Sequence, residues 1–307
     1  MVSLRQLKYF DAVARAGHFG AAAEQCAVSQ PALSMQIQEL EKSLGVQLLE
    51  RGRRGVMLTE GGKAIAQRAA RVLADVRDIV DVARRQNDVL SGPLRLGVIP
   101  SVAPYILPQL LPMMREGFAG LDLHIRETQT QFLVRELIDG QLDLLLLALP
   151  VDHPDVETVV LFDDPFLLAM AASQRVPNRV RAAADLLEGG RLLLLEEGHC
   201  FRDQALAFCS LQKVENINTF GASSLSTLVQ MVANGLGMTL LPELSAPLET
   251  RRGDIHVMRF DDPQPQRTIG LAWRKTSPRK HHFVELGKMI TAAANRSEPA
   301  GAPRPLE

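Results

Sequence analysis

The stretch FGAAAEQCAVSQPALSMQIQELEKSL, residues 19–44, decides the fold of the amino-terminal region. Its first part predicts a short helix over 21–26, and Ala27 and Val28 interrupt that helix. Ser29 is placed to cap a longer helix, whose first turn holds a proline, as helix starts often do. A short helix, a tight turn and a longer capped helix form a helix-turn-helix.

The longer helix combines an apolar stripe with a polar face. The inward stripe recurs at helical spacing and consists of Leu33, Ile37, Leu40 and Leu44. The opposite face and the exposed start of the helix present Gln30, Pro31, Ser34, Met35 and Gln38. In the major groove, Gln and Ser can bond base edges, while Met or Pro can touch a thymine methyl. We therefore predict a DNA-recognition helix, and the alternative is a solvated polar face on an ordinary three-helix bundle.

Elements on either side complete this predicted winged helix-turn-helix domain (residues 1–58), which we call the reader. Upstream, an amphipathic helix is marked by Leu4, Leu7, Phe10 and Val13. Downstream, residues 48–59 indicate a wing with arginines suited to phosphate contacts, namely Arg51, Arg53 and Arg54. Residues 1–90 carry 13 Lys+Arg against 10 Asp+Glu, net +3, which leaves 21 against 25, net −4, for the remainder. That basic excess is modest, so charge alone is weak support for nucleic-acid binding.

A heptad seam follows the wing. Its apolar residues step by three and four along Ile65, Ala69, Val72, Val76, Ile79, Ala83 and Leu90, with Gln86 at the polar position. A seam of this kind needs a covering partner, so we predict that residues 59–90 form the dimerisation helix of a homodimer. The alternative is a seam buried against the chain's own body. A dimer places two DNA-binding domains, or reading heads, on one duplex at a fixed spacing.

After Ser91-Gly92-Pro93, strand and helix patterns alternate. Strands are predicted at 94–99, 121–127, 142–147, 166–170, 191–195, 217–222, 238–241, 255–260 and 269–273. Helices are predicted at 103–114, 132–139, 182–187, 225–234 and 279–294. Such alternation favours an α/β fold with a mostly parallel sheet flanked by helices.

The whole chain is thus expected to have four parts. A winged helix-turn-helix spans 1–58, the linker helix spans 59–90, and a regulatory domain of two α/β lobes spans 91–296. Crossing segments near 163–165 and 263–266 would join the lobes. The last residues, 297–307, are rich in Pro, Gly and Ala and are expected to be disordered.

A second informative stretch, GHCFRDQALAFC, spans residues 198–209 and holds two of the three cysteines. If a helix begins near Cys200, Cys209 lies two and a half turns further on, roughly 13 Å along the axis and on the opposite face. A disulfide tolerates Cα separations only up to about 7 Å. Reduced and bridged forms therefore cannot share one conformation, which predicts a covalent switch. The alternative is two small apolar residues that happen to be near each other.

The neighbours of Cys200 favour a reactive thiolate. His199 and Arg202 are basic, and a helix start directs backbone N–H groups outward. Cys209 follows Phe208 on an apolar helix face, so it is expected to be buried and to react second.

Length and composition limit the number of domains and the cellular compartment that we expect. With 307 residues and 46% hydrophobic content, the chain has enough core for two or three domains. The first ten residues lack the apolar region and cleavage site of a secretion signal, and the apolar run 142–151 is too short to span a bilayer. We therefore expect a cytoplasmic protein with no membrane partner, no cofactor and no bound metal. In that reducing compartment, a disulfide is expected to be transient or regulatory.

The reader resembles a known family. Residues 19–51, closing on LTEGG at 58–62, are similar almost position by position to the DNA-binding domain of LysR-type transcriptional regulators. The resemblance implies a regulatory domain with periplasmic-binding-protein architecture and a double-stranded DNA operator as partner. It also implies a homodimer, commonly paired into a tetramer.

Further stretches resemble the peroxide-sensing members of that family: GPLRLGVIP at 92–100, ETQT at 127–130, LLLEEGHCFRDQALAFC at 193–209 and RTIGL at 267–271. This resemblance implies that Cys200 is the peroxidatic thiolate, that Cys209 resolves it to a disulfide, and that a cellular dithiol reductant resets the switch. It implies that Ser101 and Thr130 help to hold hydrogen peroxide, while the pocket is tuned by His199, Arg267 and Asp203.

Some details stay open at this point. Helix capping is an alternative role for Ser101 and Thr130. Ser101 stands where relatives carry threonine and Thr219 where some carry histidine, so peroxide affinity and rate are expected to differ from theirs.

Three functions compete. The main hypothesis is a transcription regulator of oxidative-stress genes, in which oxidation shifts the packing of the sensor domains and re-spaces the reading heads. A second is a LysR-type regulator with a small organic effector in the cleft between the lobes and structural cysteines. A third, a thiol peroxidase, gives the helix-turn-helix and the heptad no purpose and ranks last.

Overall fold

The structure is a computed structural model that describes residues 1–52, 55–83, 90–174, 191–211, 217–251 and 253–296. The chain forms two compact units: Met1–Asp88 with Glu136–Gln141, and Val89–Arg135 with Leu142–Glu307. Among the described residues, no helix is both long and apolar enough to cross a membrane. The helix predicted at 182–187 and the tail at 297–307 lie outside the described residues.

Three helices open the first unit: α1 (Leu4–Ala16), α2 (Phe19–Gln25) and α3 (Gln30–Leu44). The Ser29 hydroxyl accepts a hydrogen bond from the Ala32 amide at 3.4 Å and so caps α3 as predicted. These helices enclose a core that includes Phe10, Val13, Leu33, Ile37 and Leu40. The helix-turn-helix prediction is therefore confirmed. Leu44 was wrongly assigned to the inward stripe, because it is the last residue of α3 and lies 37% exposed beyond that core.

The polar face of α3 is accessible in this chain. Met35 is 54% exposed, and Gln30, Pro31 and Gln38 are exposed as well, while Ser34 is half-buried. An exposed methionine beside glutamines on one helix face is consistent with a surface that meets a partner rather than a core.

The wing is a hairpin of β1 (Leu49–Gly52) and β2 (Gly55–Leu58), paired antiparallel. The Glu41 carboxylate on α3 accepts hydrogen bonds from the Leu48 and Leu49 amides at 2.8 and 3.1 Å, which ties the hairpin to the recognition helix. Arg53, Arg54 and the Arg51 side chain lie outside the described residues.

The predicted dimer seam divides in two on α4 (Glu60–Ala83). Ile65 and Ala69 pack on the core of the reader, so the chain's own body covers this part, as the alternative interpretation held. Further along, Val72 is 40% and Ile79 is 67% exposed, while Val76 is half-buried. The Ala83 side chain lies outside the described residues, and Leu90 is buried and not helical, so it does not belong to the seam.

In its described residues, the second unit alternates strands and helices as predicted. Most boundaries differ by a few residues, but β6 begins at Val156 rather than at 166. Its strands are β3 (Gly92–Val98), β4 (Leu121–Glu127), β5 (Leu144–Leu149), β6 (Val156–Ala171), β7 (Leu192–Leu195), β8 (Ile217–Ala222), β9 (Thr239–Pro242), β10 (Ile255–Arg259) and β11 (Gln266–Arg274). Its helices are α5 (Ala103–Gly117), α6 (Thr130–Ile138), α7 (Cys200–Leu211), α8 (Leu225–Ala233), α9 (Ala246–Glu249) and α10 (Lys280–Arg296).

One sheet runs β10-β6-β11-β5-β3-β4, with β9 also paired to β6, and β7 pairs with β8 separately. Strand β3 is parallel to β4 and β5, and β7 is parallel to β8. The pairings of β11 with β5 and β6, and of β6 with β9 and β10, are antiparallel. The prediction of a mostly parallel sheet was therefore wrong, because two antiparallel strands link the two halves.

The long strand β6 connects two lobes. Lobe 1 comprises β3, β4, β5, α5 and α6, and lobe 2 comprises β7 to β10 and α7 to α9. The sequence predicted a strand only at 166–170, because Asp163-Asp164-Pro165 indicates a break. The strand continues through this point because β11 pairs alongside, with Gln266 opposite Pro165, and the Phe166 amide donates to the Pro265 carbonyl at 2.8 Å.

We predict that Gly62→Ala unfolds the reader. A Cβ on Gly62 would lie 2.0 Å from the carbonyl oxygen of Leu48, which is backbone and cannot move aside, so we expect a loss of about 3 kcal/mol or more. The matched control is Gly61→Ala, whose Cβ would lie 3.3 Å from the exposed Val46 side chain and 3.8 Å from the Thr59 hydroxyl oxygen, with no backbone in the way. Thermal melts of both variants check this, and equal melting temperatures would contradict it.

Candidate functional site

The cysteine segment meets lobe 1 in a narrow crevice inside the second unit. Its lining comes from the loops after β3 and β4 and from the start of α7: Ile99, Pro100, Ser101, Gln129, Thr130, His199, Cys200 and Phe201. The crevice is narrow and holds no free space large enough for a water molecule. Carboxyl ends of parallel strands are common ligand sites in open α/β sheets.

Cys200 is the first residue of α7, and its thiol is free and half-buried. Cys209 belongs to the same continuous helix, which confirms the predicted helix start. Nine residues of α-helix separate the two Cα atoms by roughly 13 Å, so this conformation belongs to the reduced form. The Cys209 side chain lies outside the described residues, as do the side chains of residues 210 to 221, Thr219 among them.

The basic neighbours of Cys200 do not act as the sequence indicated. His199 is buried, and burial lowers its pKa below the ordinary 6.5, an effect that the Glu196 carboxylate partly opposes. The imidazole is therefore neutral near pH 7 and supplies no positive charge. The Arg202 guanidinium donates to the Leu195 carbonyl at 3.2 Å and lies 4.0 Å from Glu197, so its charge is directed to the end of β7.

A buried arginine instead lies behind the crevice. Arg267 is 3% exposed, and its Nη1 donates to the Ser101 hydroxyl oxygen at 2.7 Å, while Nη2 donates to the Ser101 carbonyl at 3.0 Å. A guanidinium can only donate, so the Ser101 oxygen accepts and its own proton remains available to another acceptor. Arg267 thus makes Ser101 a hydrogen-bond donor on the wall of the crevice.

Two more contacts hold Arg267. Its Nε and Nη2 approach the Asp164 carboxylate at 2.9 and 2.8 Å, and its guanidinium carbon lies 5.5 Å from the centre of the Phe201 ring. Phe201 also packs edge-on against Phe166, with 5.3 Å between the ring centres. The residue next to Cys200 therefore contacts both the buried cation and the core of lobe 2.

Thr130 contributes a second hydroxyl. Its Oγ1 is buried and makes no hydrogen bond within the described residues, so it does not cap α6. The residue before α5 is Val102, and no side chain caps that helix, so Ser101 is not a cap either. The capping alternative is therefore wrong for both residues. Their hydroxyls line the same crevice as Cys200.

Gln129 closes one side of the crevice. Its Nε2 donates to the Glu197 carbonyl at 3.2 Å, which joins lobe 1 to the turn before Cys200. Gly198 in that turn has φ +90°, and a Cβ there would lie 2.4 Å from Gln129 Oε1. The close approach of the amide requires glycine at this position.

The structure thus gathers Ser101, Thr130, His199 and Cys200 around the crevice, with Arg267 behind it. Asp203 does not join them, because it is exposed on the first turn of α7. Sequence reasoning did not assign roles to Gln129, Asp164 and Phe201. The close approach of a glycine to Gln129 and the pairing of Asp164 with Arg267 arise only from tertiary contacts, so no sequence signal identified them.

A second cavity, about 410 Å³, lies beside the crossing strand β6. Its lining includes Phe162, Asp164, Leu244, Pro247, Val257 and Arg259. This volume falls in the range of small-molecule pockets. Its lining includes none of the residues around Cys200, so it is separate from the crevice.

Comparison with known proteins agrees with this architecture. Residues 4–63 match the bacterial regulatory helix-turn-helix protein model of the lysR family, and residues 87–294 match the LysR substrate binding domain. The DNA-binding transcriptional dual regulator OxyR of Escherichia coli K12 is 42% identical over 291 residues, which is 95% of either chain. A probable hydrogen peroxide-inducible genes activator of Streptomyces viridosporus is 45% identical over 293 residues, 95% of this chain and 94% of that one.

Solved structures extend the comparison. A full-length OxyR variant from Pseudomonas aeruginosa matches with a TM-score of 0.82 at 36% identity and 99% coverage of both chains. A hydrogen peroxide-bound OxyR mutant from Corynebacterium glutamicum matches with a TM-score of 0.68 at 35% identity, over 96% of this chain and 93% of that one.

We predict that Gly198→Ala opens the crevice. The new Cβ displaces Gln129, so alkylation of Cys200 by iodoacetamide should become severalfold faster. Gly253→Ala is the control, because Gly253 also has positive φ (+71°) but its Cβ would meet nothing within 4 Å. Both variants should share a backbone strain of about 1–2 kcal/mol, and peptide mass spectrometry gives the alkylation rates. Equal rates in the two variants would contradict the role of Gln129.

Proposed function

The chain belongs to the LysR family of bacterial helix-turn-helix regulators, and from this premise we propose that it is a DNA-binding transcription regulator controlled by hydrogen peroxide. The observation that carries the proposal is the crevice, where the free Cys200 thiol meets the Ser101 and Thr130 hydroxyls with Arg267 behind them. Relatives named as hydrogen peroxide-inducible activators along nearly the whole chain support it.

The proposed chemistry starts at Cys200. Its thiolate attacks one oxygen of hydrogen peroxide; an S–O bond forms as the O–O bond breaks, and the sulfur is oxidised by two electrons to a sulfenic acid. The second oxygen leaves as hydroxide, which needs a proton or positive charge. We assign two donors to the leaving hydroxide: Ser101, which Arg267 orients, and Thr130. The neutral His199 is a further polar side chain in the lining of the crevice.

Cys209 completes the reaction. Its thiol displaces the sulfenic hydroxyl, so a disulfide forms and water leaves. Overall, two thiols and one hydrogen peroxide give one disulfide and two waters. A cellular dithiol reductant returns both sulfurs to thiols by exchange. One peroxide is consumed per switching event, so we assign signalling rather than enzymatic turnover.

The disulfide must change the fold locally. A bridge allows about 7 Å between Cα atoms, whereas the helix holds them roughly 13 Å apart, so turns of α7 must unwind. The buried Phe201 and Ala205 anchor this helix to lobe 2, and Phe208 packs against Phe260 with 5.3 Å between ring centres. Unwinding therefore disturbs the core of lobe 2, which we propose shifts the packing between sensor domains.

The readout is DNA binding. We assign base contacts to the accessible α3 residues, namely Gln30, Pro31, Ser34, Met35 and Gln38, and phosphate contacts to Arg51, Arg53 and Arg54 on the wing. The partner is a double-stranded operator of oxidative-stress genes, which places the protein in the cytoplasm. A homodimer, paired into a tetramer, would present several reading heads whose spacing the oxidation changes.

A second candidate function is a regulator that responds to a small organic effector. The cavity of about 410 Å³ beside β6 favours it, because its volume suits such a ligand. The crevice at Cys200 does not suit one, since it is too narrow.

The first test is peptide mass mapping after seconds in equimolar hydrogen peroxide. We expect a Cys200–Cys209 bridge in the reduced wild type and sulfenic acid on Cys200 in Cys209→Ser. Cys26→Ser is the control and should react like the wild type, because Cys26 packs against the reader core. Footprints on operator DNA before and after oxidation then give the readout. An unmodified Cys200 would leave the organic-effector candidate in place of this proposal.

The second test concerns the dimer. Ile79→Glu should leave the monomer folded, since Ile79 is 67% exposed, but should weaken dimerisation about tenfold or more by burying a charge at the seam. Gln67→Glu adds the same charge at an exposed position about 120° around the helix and should not. Sedimentation equilibrium measures both dissociation constants. Similar values for the two variants would place the dimer contact elsewhere.

A further inference from the structure

We propose that Asp164 is a positioning residue for the oxidation of Cys200. It does not line the crevice, and it acts through Arg267, which fixes Ser101 as a hydrogen-bond donor to the leaving oxygen. This inference rests on the proposed function. It extends the site by one residue, held on the strand that crosses between the lobes.

The backbone brings Asp164 and Arg267 together. They are directly opposed in the antiparallel pairing of β6 with β11, so their Cα atoms are neighbours in the ladder. Both side chains are almost fully buried, at 2% and 3% exposure. One carboxylate oxygen, Oδ2, receives both Arg267 Nε at 2.9 Å and Nη2 at 2.8 Å.

The other oxygen of Asp164 is also used. Its Oδ1 accepts a hydrogen bond from the Leu244 amide at 2.9 Å, in the short turn Glu243–Ser245 that follows β9. The carboxylate is therefore held from two sides and cannot rotate freely. A fixed carboxylate in turn fixes the plane of the guanidinium, because a guanidinium bonds through a rigid planar fork.

That plane determines where Ser101 points. With Nε and Nη2 on Asp164, Nη1 is aimed at the Ser101 hydroxyl oxygen at 2.7 Å, and Nη2 also reaches the Ser101 carbonyl. The hydroxyl oxygen is then occupied as an acceptor, and its proton is left to donate into the crevice. A donor that is already oriented is worth more in a transition state than one that must reorganise.

The negative charge of Asp164 has a second consequence. Without it, a buried guanidinium lacks its counter-charge and should turn toward other acceptors or water. Ser101 would then lose the bond that directs its proton. Among the described residues, neither Arg267 nor Ser101 bonds the Cys200 sulfur. The reaction with peroxide should therefore suffer more than other reactions of the same thiol.

The experiment compares two reactions of Cys200 in the full-length chain. Asp164→Asn keeps the side-chain shape and removes the charge. Asp163→Asn is the matched control. Asp163 is exposed on the same strand and accepts a hydrogen bond from the Thr268 hydroxyl at 2.8 Å. Peroxide oxidation and iodoacetamide alkylation rates of Cys200 are measured across pH 5 to 9 in the Cys209→Ser background.

Removing one preorganised donor lowers rates on the order of 100-fold, so misdirecting one should lower the peroxide rate about tenfold. In Asp164→Asn we expect that fall in the plateau of the pH profile, with the midpoint and the alkylation rate unchanged. Asp163→Asn should match the wild type. Equal losses in both reactions, or a wild-type peroxide rate in Asp164→Asn, would overturn the proposal.

A double variant separates positioning from general stability. If Asp164 acts through Arg267, Asp164→Asn should add no further loss of peroxide rate in an Arg267→Gln background. This background also removes the buried cation that Asp164→Asn would leave without its counter-charge, so the comparison remains possible if Asp164→Asn alone does not fold. An additive loss would contradict the proposal. If wild-type Cys200 does not react with peroxide at all, the proposed function fails instead.

Discussion

The pairing of β6 with β11 is the constraint on which the second unit depends. Both strands run between the lobes, and their register sets Arg267 opposite Asp164. A buried ion pair is tolerated when the remaining donors and acceptors are satisfied, and here Ser101 in lobe 1 and the Leu244 amide in lobe 2 complete the set. The same ion pair therefore links the lobes and orients the Ser101 hydroxyl on the wall of the crevice. A further bond, from Tyr105 on α5 to Glu249 at 2.8 Å, joins the lobes on another side.

Phe201 explains how an event at one sulfur atom reaches the fold. It follows Cys200 directly, lies against the Arg267 guanidinium, and packs into the lobe 2 core against Phe166. A full burial of a phenylalanine stabilises a fold by about 1.5–3 kcal/mol. Unwinding the first turns of α7 would remove part of that stabilisation. It would also move the Phe201 ring away from the Arg267 guanidinium. The switch thus requires no long pathway, because the reacting residue is one peptide bond from a core anchor.

The sequence correctly predicted the features that depend on residues close together in the chain. Capping by Ser29, the apolar stripe of α3 and the helix beginning at Cys200 follow from residue type and spacing, and the structure has them. It did not predict the continuity of β6, since Asp163-Asp164-Pro165 has the composition of a break and only the register with β11 keeps it extended. Nor did it predict that His199 is buried and neutral, or that the nearer arginine, Arg202, turns away from the crevice. The place of Arg267 beside the crevice was expected only from the family resemblance. Those outcomes depend on contacts between residues far apart in sequence.

The proposed function requires a crevice that admits only a very small ligand able to donate and accept hydrogen bonds. The Thr130 hydroxyl is buried with no partner in the described chain, a state that costs about 1–3 kcal/mol and that a bonding ligand relieves. The narrow crevice excludes bulky molecules and places Ser101 and Thr130 on its wall beside Cys200. Bonds from Arg267 to both oxygens of Ser101, rather than packing of a methyl group, hold its hydroxyl in place. The proposed selectivity of the site therefore rests on its narrowness and on the Thr130 hydroxyl, which has no partner among the described residues.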